Sequence, residues 1–188
     1  MKNFFLILLL ALFFNSCVSF DRKLIKDDMT TLKKENVSLI NGEFEFKGYE
    51  HINAGNQKSD RLRTVAEMLN IKNPNISESD KVSVKAVSNL KDKSYEVQFR
   101  ILKNDSLKYS FKYDAKLKKG VLVLKNHTVK CHGIPYLLGG CLGFKSQIGL
   151  TGKNGLFIQD YYNNDGAFLL IMGSGYSINY VEKYKRIQ

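Results

Sequence analysis

From Tyr95 to Ile101, and again from Leu107 to Tyr113, the chain alternates strictly. Tyr95, Val97, Phe99 and Ile101 share one parity, with Glu96, Gln98 and Arg100 between them. After Asn104-Asp105 the pattern resumes, with Leu107, Tyr109, Phe111 and Tyr113 set against Lys108, Ser110 and Lys112. A period of two sends successive side chains to opposite faces of a strand, so each strand has one apolar and one wet face. That texture predicts antiparallel strands joined by tight turns. The same reasoning predicts strands over 42–49, 81–88, 121–131 with a bulge near Lys125, 142–150, 156–162, 167–172 and 176–184. Turns are predicted at Lys91-Asp92-Lys93, Lys118-Lys119-Gly120, Asn154-Gly155 and Asp165-Gly166, where Asn, Asp and Gly tolerate positive φ.

One segment changes period. Leu62, Val65, Ala66 and Leu69 recur at helical spacing, predicting a short helix over 59–70 capped by Ser59 or Asp60. Asn73-Pro74-Asn75 ends it. The sequence therefore reads as mainly β, a single antiparallel meander with one short helix after the first strand. An open meander leaves two edges of unpaired backbone, so closure into a barrel is the expected architecture and a β-sandwich the alternative.

The N-terminus has a different character. Lys2 precedes the apolar run from Phe4 to Phe14, and Asn15, Ser16 and Cys17 follow. Such a run spans about 16 Å as a helix, roughly half a bilayer's hydrocarbon, which suits a signal sequence over 1–16 better than a membrane-spanning helix. Cys17 directly after the run, with small Ser16 before it, resembles the lipobox of bacterial lipoproteins. That resemblance implies lipidation of Cys17 and a membrane as partner. Val18 and Ser19, rather than Asp, follow the Cys, which points to the outer membrane, facing the periplasm. Residues 18–36 mix both signs of charge with few large apolar residues and read, together with the lipidated Cys17, as a flexible tether over 17–36. The folded domain is then 37–188.

The order of elements resembles the lipocalin and calycin families of small-ligand barrels. Their Gly-x-Trp on the first strand corresponds to Gly42-Glu43-Phe44, and their late basic residue to Arg186. The resemblance implies that Arg186 lies against Phe44 where the barrel closes. The meander that ends Tyr-Lys-Arg-Ile also resembles small bacterial lipoproteins. In such a barrel Tyr95, Phe99, Tyr109, Phe111 and Tyr113 either border a cavity for a small apolar or amphipathic ligand or fill the interior. Non-catalytic ligand binding by a cell-envelope lipoprotein is the expected function. The alternative is an envelope scaffold or assembly protein with a filled core, whose protein partner the sequence does not name.

Other features bear on chemistry. Cys131 and Cys141 are the two cysteines left once Cys17 is lipidated, and in an oxidising compartment they form either a disulfide or two free thiols. His127, Cys131, His132 and Cys141 lack the paired short spacings of a zinc site, and no metal or cofactor is expected. The glycines from Gly139 to Gly155 lack the strand-to-helix context of a phosphate loop. No carboxylate pair stands out for acid–base work, so a binding role is favoured over an enzyme. The formal charge of +11 raises nucleic acid as a partner, but an exported, anchored chain rarely meets it, and none is expected.

Overall fold

The computed structural model describes residues 20–187 apart from 54, 56, 90–93, 135–137 and 169–171. Its frame is one antiparallel sheet of 11 strands. Three short strands come first, β1 (Gly42–Glu45), β2 (Glu50–Asn53) and β3 (Gln57–Ser59), followed by the helix α1 (Val65–Met68). Next are β4 (Lys81–Asn89), β5 (Ser94–Lys103), β6 (Ser106–Lys118) and β7 (Val121–Leu124). The last four are β8 (Thr128–Ile134), β9 (Leu138–Leu150), β10 (Leu156–Phe168) and β11 (Met172–Tyr184). Neighbours in the sheet run β1-β4-β5-β6-β7-β9-β10-β11-β2-β3, and β8 pairs with β9.

The turns explain the hairpins. Asn104 and Asp105 adopt φ of 49° and 62° between β5 and β6, and Lys119 and Gly120 adopt 50° and 87° between β6 and β7. Two consecutive left-handed residues match the twist of the strands they join. Asn154 takes φ of 62° in the turn between β9 and β10. Inward-facing Val82, Val84, Val97, Phe99, Ile101, Leu122, Ile148, Leu150, Leu156 and Ile158 then form one core with Phe44, Phe46 and Tyr184. Val65, Met68 and Leu69 on and after α1 join the same core.

The ladder does not close into a barrel. Its two ends are β1 and β3. The expected meeting of first and last strands survives as an isolated bridge, Phe44 with Arg186. The Glu45 N–H donates to the Lys185 carbonyl at 2.9 Å and the Ile187 N–H to the Glu43 carbonyl at 2.8 Å. The reason is a bend in the strand expected over 42–49. The chain turns at Lys47-Gly48, and β2 rather than β1 takes the ladder partners Val181, Glu182 and Lys183. A Cβ on Gly48 would stand 1.9 Å from Glu182 Oε1, so only glycine lets that carboxylate lie against the bend.

Four other expectations are corrected. The helix expected over 59–70 is confined to α1. Thr64 rather than Ser59 or Asp60 is its cap, in a reciprocal box with Glu67, and Gln57–Ser59 joins the sheet as β3. The strand over 121–131 breaks into β7 and β8, with the Lys125 N–H turned to the Asp114 carbonyl. Asp165-Gly166 is no turn: both lie inside β10, opposite Cys141 and Gly140 on β9 and Gly175 and Ser174 on β11. Glycines at 140 and 175 leave room for Asp165, because a Cβ there would come within 2.8 Å of its carbonyl and carboxylate oxygens respectively. A ladder satisfied on both sides outweighs the local turn preference.

The fourth correction concerns the tether. Over residues 20–36 the chain is docked on the outer sheet face. Phe157, Val181, Ile52 and Val121 point outward and would be bare, and Leu24 and Ile25 cover them in a second small core. Thr30 bridges Leu150 and the Leu32 N–H donates to the Gly120 carbonyl at 3.0 Å. A few well-placed apolar residues decide the docking, which average composition conceals. Cys17 and the turn Lys91-Asp92-Lys93 lie outside the described residues. Among the described residues no helix is long and apolar enough to cross a membrane.

Candidate functional site

The aromatic stripe read from the sequence is a packed layer. Phe99 is fully buried and stacks on Phe111 at 4.9 Å, with Tyr113 edge-on to both rings. Tyr109 leans on Phe111 at 5.7 Å, and Tyr95 is packed against the same core. These five residues line none of the three clefts described below. Arg186 and Phe44 do meet, with the guanidinium carbon 4.6 Å from the ring centroid. Cys131 and Cys141 sit opposite each other on β8 and β9 and are joined by a disulfide. That bond leaves Cys131 no thiol with which to act beside His132. His127 and His132 are exposed.

A different constellation lies where β10, β11 and β2 run side by side. Register sets Ile158 opposite Glu182 and Glu182 opposite His51. Strand alternation then puts Tyr180, Glu182 and Tyr184 on one inward-facing row, with Asp160 across from Tyr180. His51 and Glu182 are 2% and 0% exposed, and His51 Nδ1 lies 2.5 Å from Glu182 Oε2. His51 Nε2 is 2.8 Å from Asn53 Oδ1. The imidazole stacks beside Tyr180 at 5.6 Å, and the Arg63 guanidinium lies 4.4 Å over the same phenol ring. Arg63 is held there by its own backbone: Gly48 donates to its carbonyl at 2.9 Å, and Lys47 bridges Thr64.

Above this group opens a cleft of about 430 Å³, lined by His51, Asn53, Arg61, Arg63, Ile178 and Tyr180 among others. A second cleft of about 380 Å³ shares Arg61 and Arg63 and adds Lys72. A third, about 350 Å³, lies between Phe46, Thr64 and Ile76. Among the described residues neither the Arg61 nor the Arg63 guanidinium has a carboxylate at ion-pair distance or a hydrogen bond. Behind the cleft, Glu182 Oε1, Asp160 Oδ1 and the Tyr184 hydroxyl are buried with no hydrogen-bond partner.

Electrostatics follow from that burial. Burial pushes the Glu182 carboxyl up, and the His51 hydrogen bond only partly offsets it. Burial holds Asp160 well above the usual carboxylate range against a hydrogen bond from Ser146 and the charge of Arg63. Both ring nitrogens of His51 are engaged, one by Glu182 and one by Asn53, so the ring has no free nitrogen for proton transfer to a bound molecule. The rim is cationic and the wall is part apolar, which suits an anion carried on an apolar body. Among the described residues no group of three or more His, Cys, Asp or Glu is placed to hold a metal.

No family model, no curated protein and no solved structure matches this chain. Local sequence pattern does not reveal this site because its parts are far apart: His51 and Glu182 are 131 residues distant. One signal was present. Glu182 stands between Tyr180 and Tyr184 on the inward parity of the last strand, where a carboxylate needs a buried partner.

Proposed function

We propose that this chain is a lipid-anchored cell-envelope protein that binds a small amphipathic ligand, without catalysis, in the cleft between His51, Arg61, Arg63 and Tyr180. The anchor is Cys17, and the membrane is the outer membrane with the protein on its periplasmic side. The fold is read as a calycin-like barrel opened at one seam, with Arg186 over Phe44 stitching it. The observation that carries the reading is the pair of arginines at the mouth of the 430 Å³ cleft, neither of which has a carboxylate at ion-pair distance among the described residues. A carboxylate or phosphate head on the ligand satisfies them, and Ile178 with the wall of the cleft takes the apolar part. The ligand site therefore moves from the aromatic stripe to the rim of the sheet.

Native mass spectrometry of protein taken from its own host membrane tests this. A retained anionic amphiphile is expected, and it is lost from an Arg61→Ala, Arg63→Ala double variant. Retention that ignores both substitutions contradicts the reading. The scaffold reading is favoured by one observation, the filled interior, where Phe44, Phe99, Ile101, Leu122, Ile148 and Leu156 are wholly enclosed. It wins if native protein carries no small molecule and cross-links to a partner through its outer face.

A further inference from the structure

The docked N-terminal segment begins on a cationic stretch of the outer sheet face. Val121 points outward, and register carries its face across the strands. Lys118 opposes Val121, Lys116 opposes Val123, and Val123 opposes Gln147. Two residues before Gln147, Lys145 opposes Tyr161, which opposes Asn179. Phe20 is set down among these side chains. Its ring meets Tyr161 edge-on at 6.3 Å, with Lys145 Nζ 4.8 Å from its centroid. The Asp21 backbone is held on both sides: its N–H donates to Asn179 Oδ1 at 3.0 Å and its carbonyl accepts from Gln159 Nε2 at 2.8 Å. Arg22 Nη2 then donates to the Lys119 carbonyl at 3.0 Å, which brings its guanidinium to the β6–β7 turn beside Lys118.

Positive charge is gathered here. Arg22, Lys116, Lys118 and Lys119 are exposed, and among the described residues none has a carboxylate at ion-pair distance. Burial and the charge of Lys118 hold the Lys145 ammonium below its ordinary value. Two nearby acids are turned to other partners, Asp21 to the Lys23 N–H and Asp114 to Lys125. Val129, 53% exposed, stands on the same face, since it opposes Gly143 two residues from Lys145. Cys17 is three positions before Phe20, so whatever path the chain takes their Cα atoms lie within about 11 Å.

We propose that this outer face, Arg22, Lys116, Lys118, Lys119 and Lys145 around Phe20, lies on the anionic headgroups of the leaflet that holds the Cys17 lipid; this rests on the anchored-lipoprotein reading. The occupant is a bilayer surface because the chain itself delivers one. A lipid on Cys17 sits no farther from Phe20 than those three residues allow, close to the distance over which salt leaves charges in contact. Lysines and an arginine crowded on one face repel one another, and headgroup phosphates remove that cost. An acyl anchor beside a basic patch also holds a membrane more firmly than either alone. The ligand cleft stays open, because Ile178 and Tyr180 leave β11 on the face opposite to Asn179.

Amine acetylation of the full-length lipoprotein, read by mass at each lysine, tests the contact. The protein is placed on vesicles of phosphatidylethanolamine with phosphatidylglycerol and, separately, on phosphatidylcholine vesicles. Reactivity at Lys116, Lys118 and Lys119 is expected to be about three-fold or more lower on the anionic vesicles and to recover in 1 M salt. Lys72, on the opposite face at the cleft, and Lys108, about 26 Å from Lys116 along β6, are expected to react alike on both. Lys116→Glu with Lys118→Glu, at two exposed positions, is expected to abolish the protection of Lys119. Equal reactivity on the two vesicles overturns the proposal, and so does protection that extends evenly to Lys72 and Lys108. Protection that is the same in detergent and comes with a dimeric mass assigns the face to a second copy and overturns it. Protection by soluble dextran sulfate but not by anionic vesicles assigns the face to an envelope polymer and also overturns it. The mass of the Cys17 peptide is measured separately. An unmodified Cys17 with a protected face refutes the anchor and leaves the contact standing, and a lipidated Cys17 with an unprotected face does the reverse.

Discussion

Arg186 holds its guanidinium carbon 4.6 Å above the ring of Phe44, and the same two residues form the bridge across the seam of the sheet. The guanidinium also donates to three carbonyls, from Nε to Asn154, from Nη1 to Asn41 and from Nη2 to Leu39. One side chain therefore ties the C-terminal segment to the entry of β1 and to the β9–β10 turn. The cation–π contact contributes about 0.5–1 kcal/mol, and the charged hydrogen bonds contribute more.

Arg186→Ala is expected to cost about 2–3 kcal/mol of stability, read from the urea midpoint at constant slope. Arg186→Lys recovers less than half, because an ammonium cannot fork to three carbonyls while covering a ring. Full recovery by Lys would mean that charge alone matters at the seam.

Docking of the N-terminal segment depends on pH. Lys183 Nζ lies 2.7 Å from Asp28 Oδ2, and Gly152 N–H donates to Oδ1 at 3.0 Å. Burial raises the Asp28 carboxyl, but these bonds outweigh it and hold the group below its ordinary value. A depressed acid contributes stability above its unfolded pKa and loses it as pH falls through the folded one. Hydrogen-exchange protection over 20–32, taken relative to the intrinsic rate at each pH, is expected to fall below about pH 4. In Asp28→Asn protection is lower at pH 7 and much less dependent on acid. Protection that is flat with pH in the parent chain would show the ion pair to be idle.

Asp160 carries the opposite sign. Its folded pKa is raised by burial, so its contribution is full below the unfolded value and is lost as pH rises through the folded one. Asp160→Asn keeps the shape and removes the charge. It is expected to match the parent at pH 4 and to be more stable than the parent at pH 8, by denaturant titration at each pH. A variant less stable than the parent at pH 8 would mean that the carboxylate has a partner worth keeping.

The disulfide between Cys131 and Cys141 spans a ten-residue separation and joins residues already opposed in the ladder. Replacing both by Ser is expected to loosen the β8–β9 pair by about 2–3 kcal/mol on the chain-entropy account. Exchange should quicken over 128–144 and stay unchanged over 81–103. Alkylation before and after reduction, read by mass, checks the bond itself.

Much of the sheet could be read from alternation. β4, β5 and β6 fall where Val82 and Val84, Phe99 and Ile101, and Tyr109 and Phe111 alternate with polar residues, and the turns at Asn104-Asp105, Lys119-Gly120 and Asn154 follow from residues that tolerate positive φ. Local pattern misled wherever a distant partner decided. Leu62 to Leu69 has helical spacing, but Gln57–Ser59 pairs with β2 and leaves only one turn of helix. Asp165-Gly166 has turn chemistry, yet glycines on both neighbouring strands admit it to a continuous ladder. Leu24 and Ile25 looked isolated among charges until Phe157 and Val181 required a cover. The cleft was hidden for the same reason, since it needs β2, the segment after β3 and β11 in one place.

In the proposed function a ligand with an anionic head binds at the arginine-lined cleft and leaves the packed aromatic layer undisturbed. An NMR titration of the ¹⁵N-labelled protein with dodecyl phosphate below its micelle concentration tests this directly. Saturable shifts are expected at Asn53, Arg61, Arg63 and Tyr180, abolished by Arg61→Ala with Arg63→Ala. Shifts centred on Phe99, Phe111 and Tyr113 instead would contradict it.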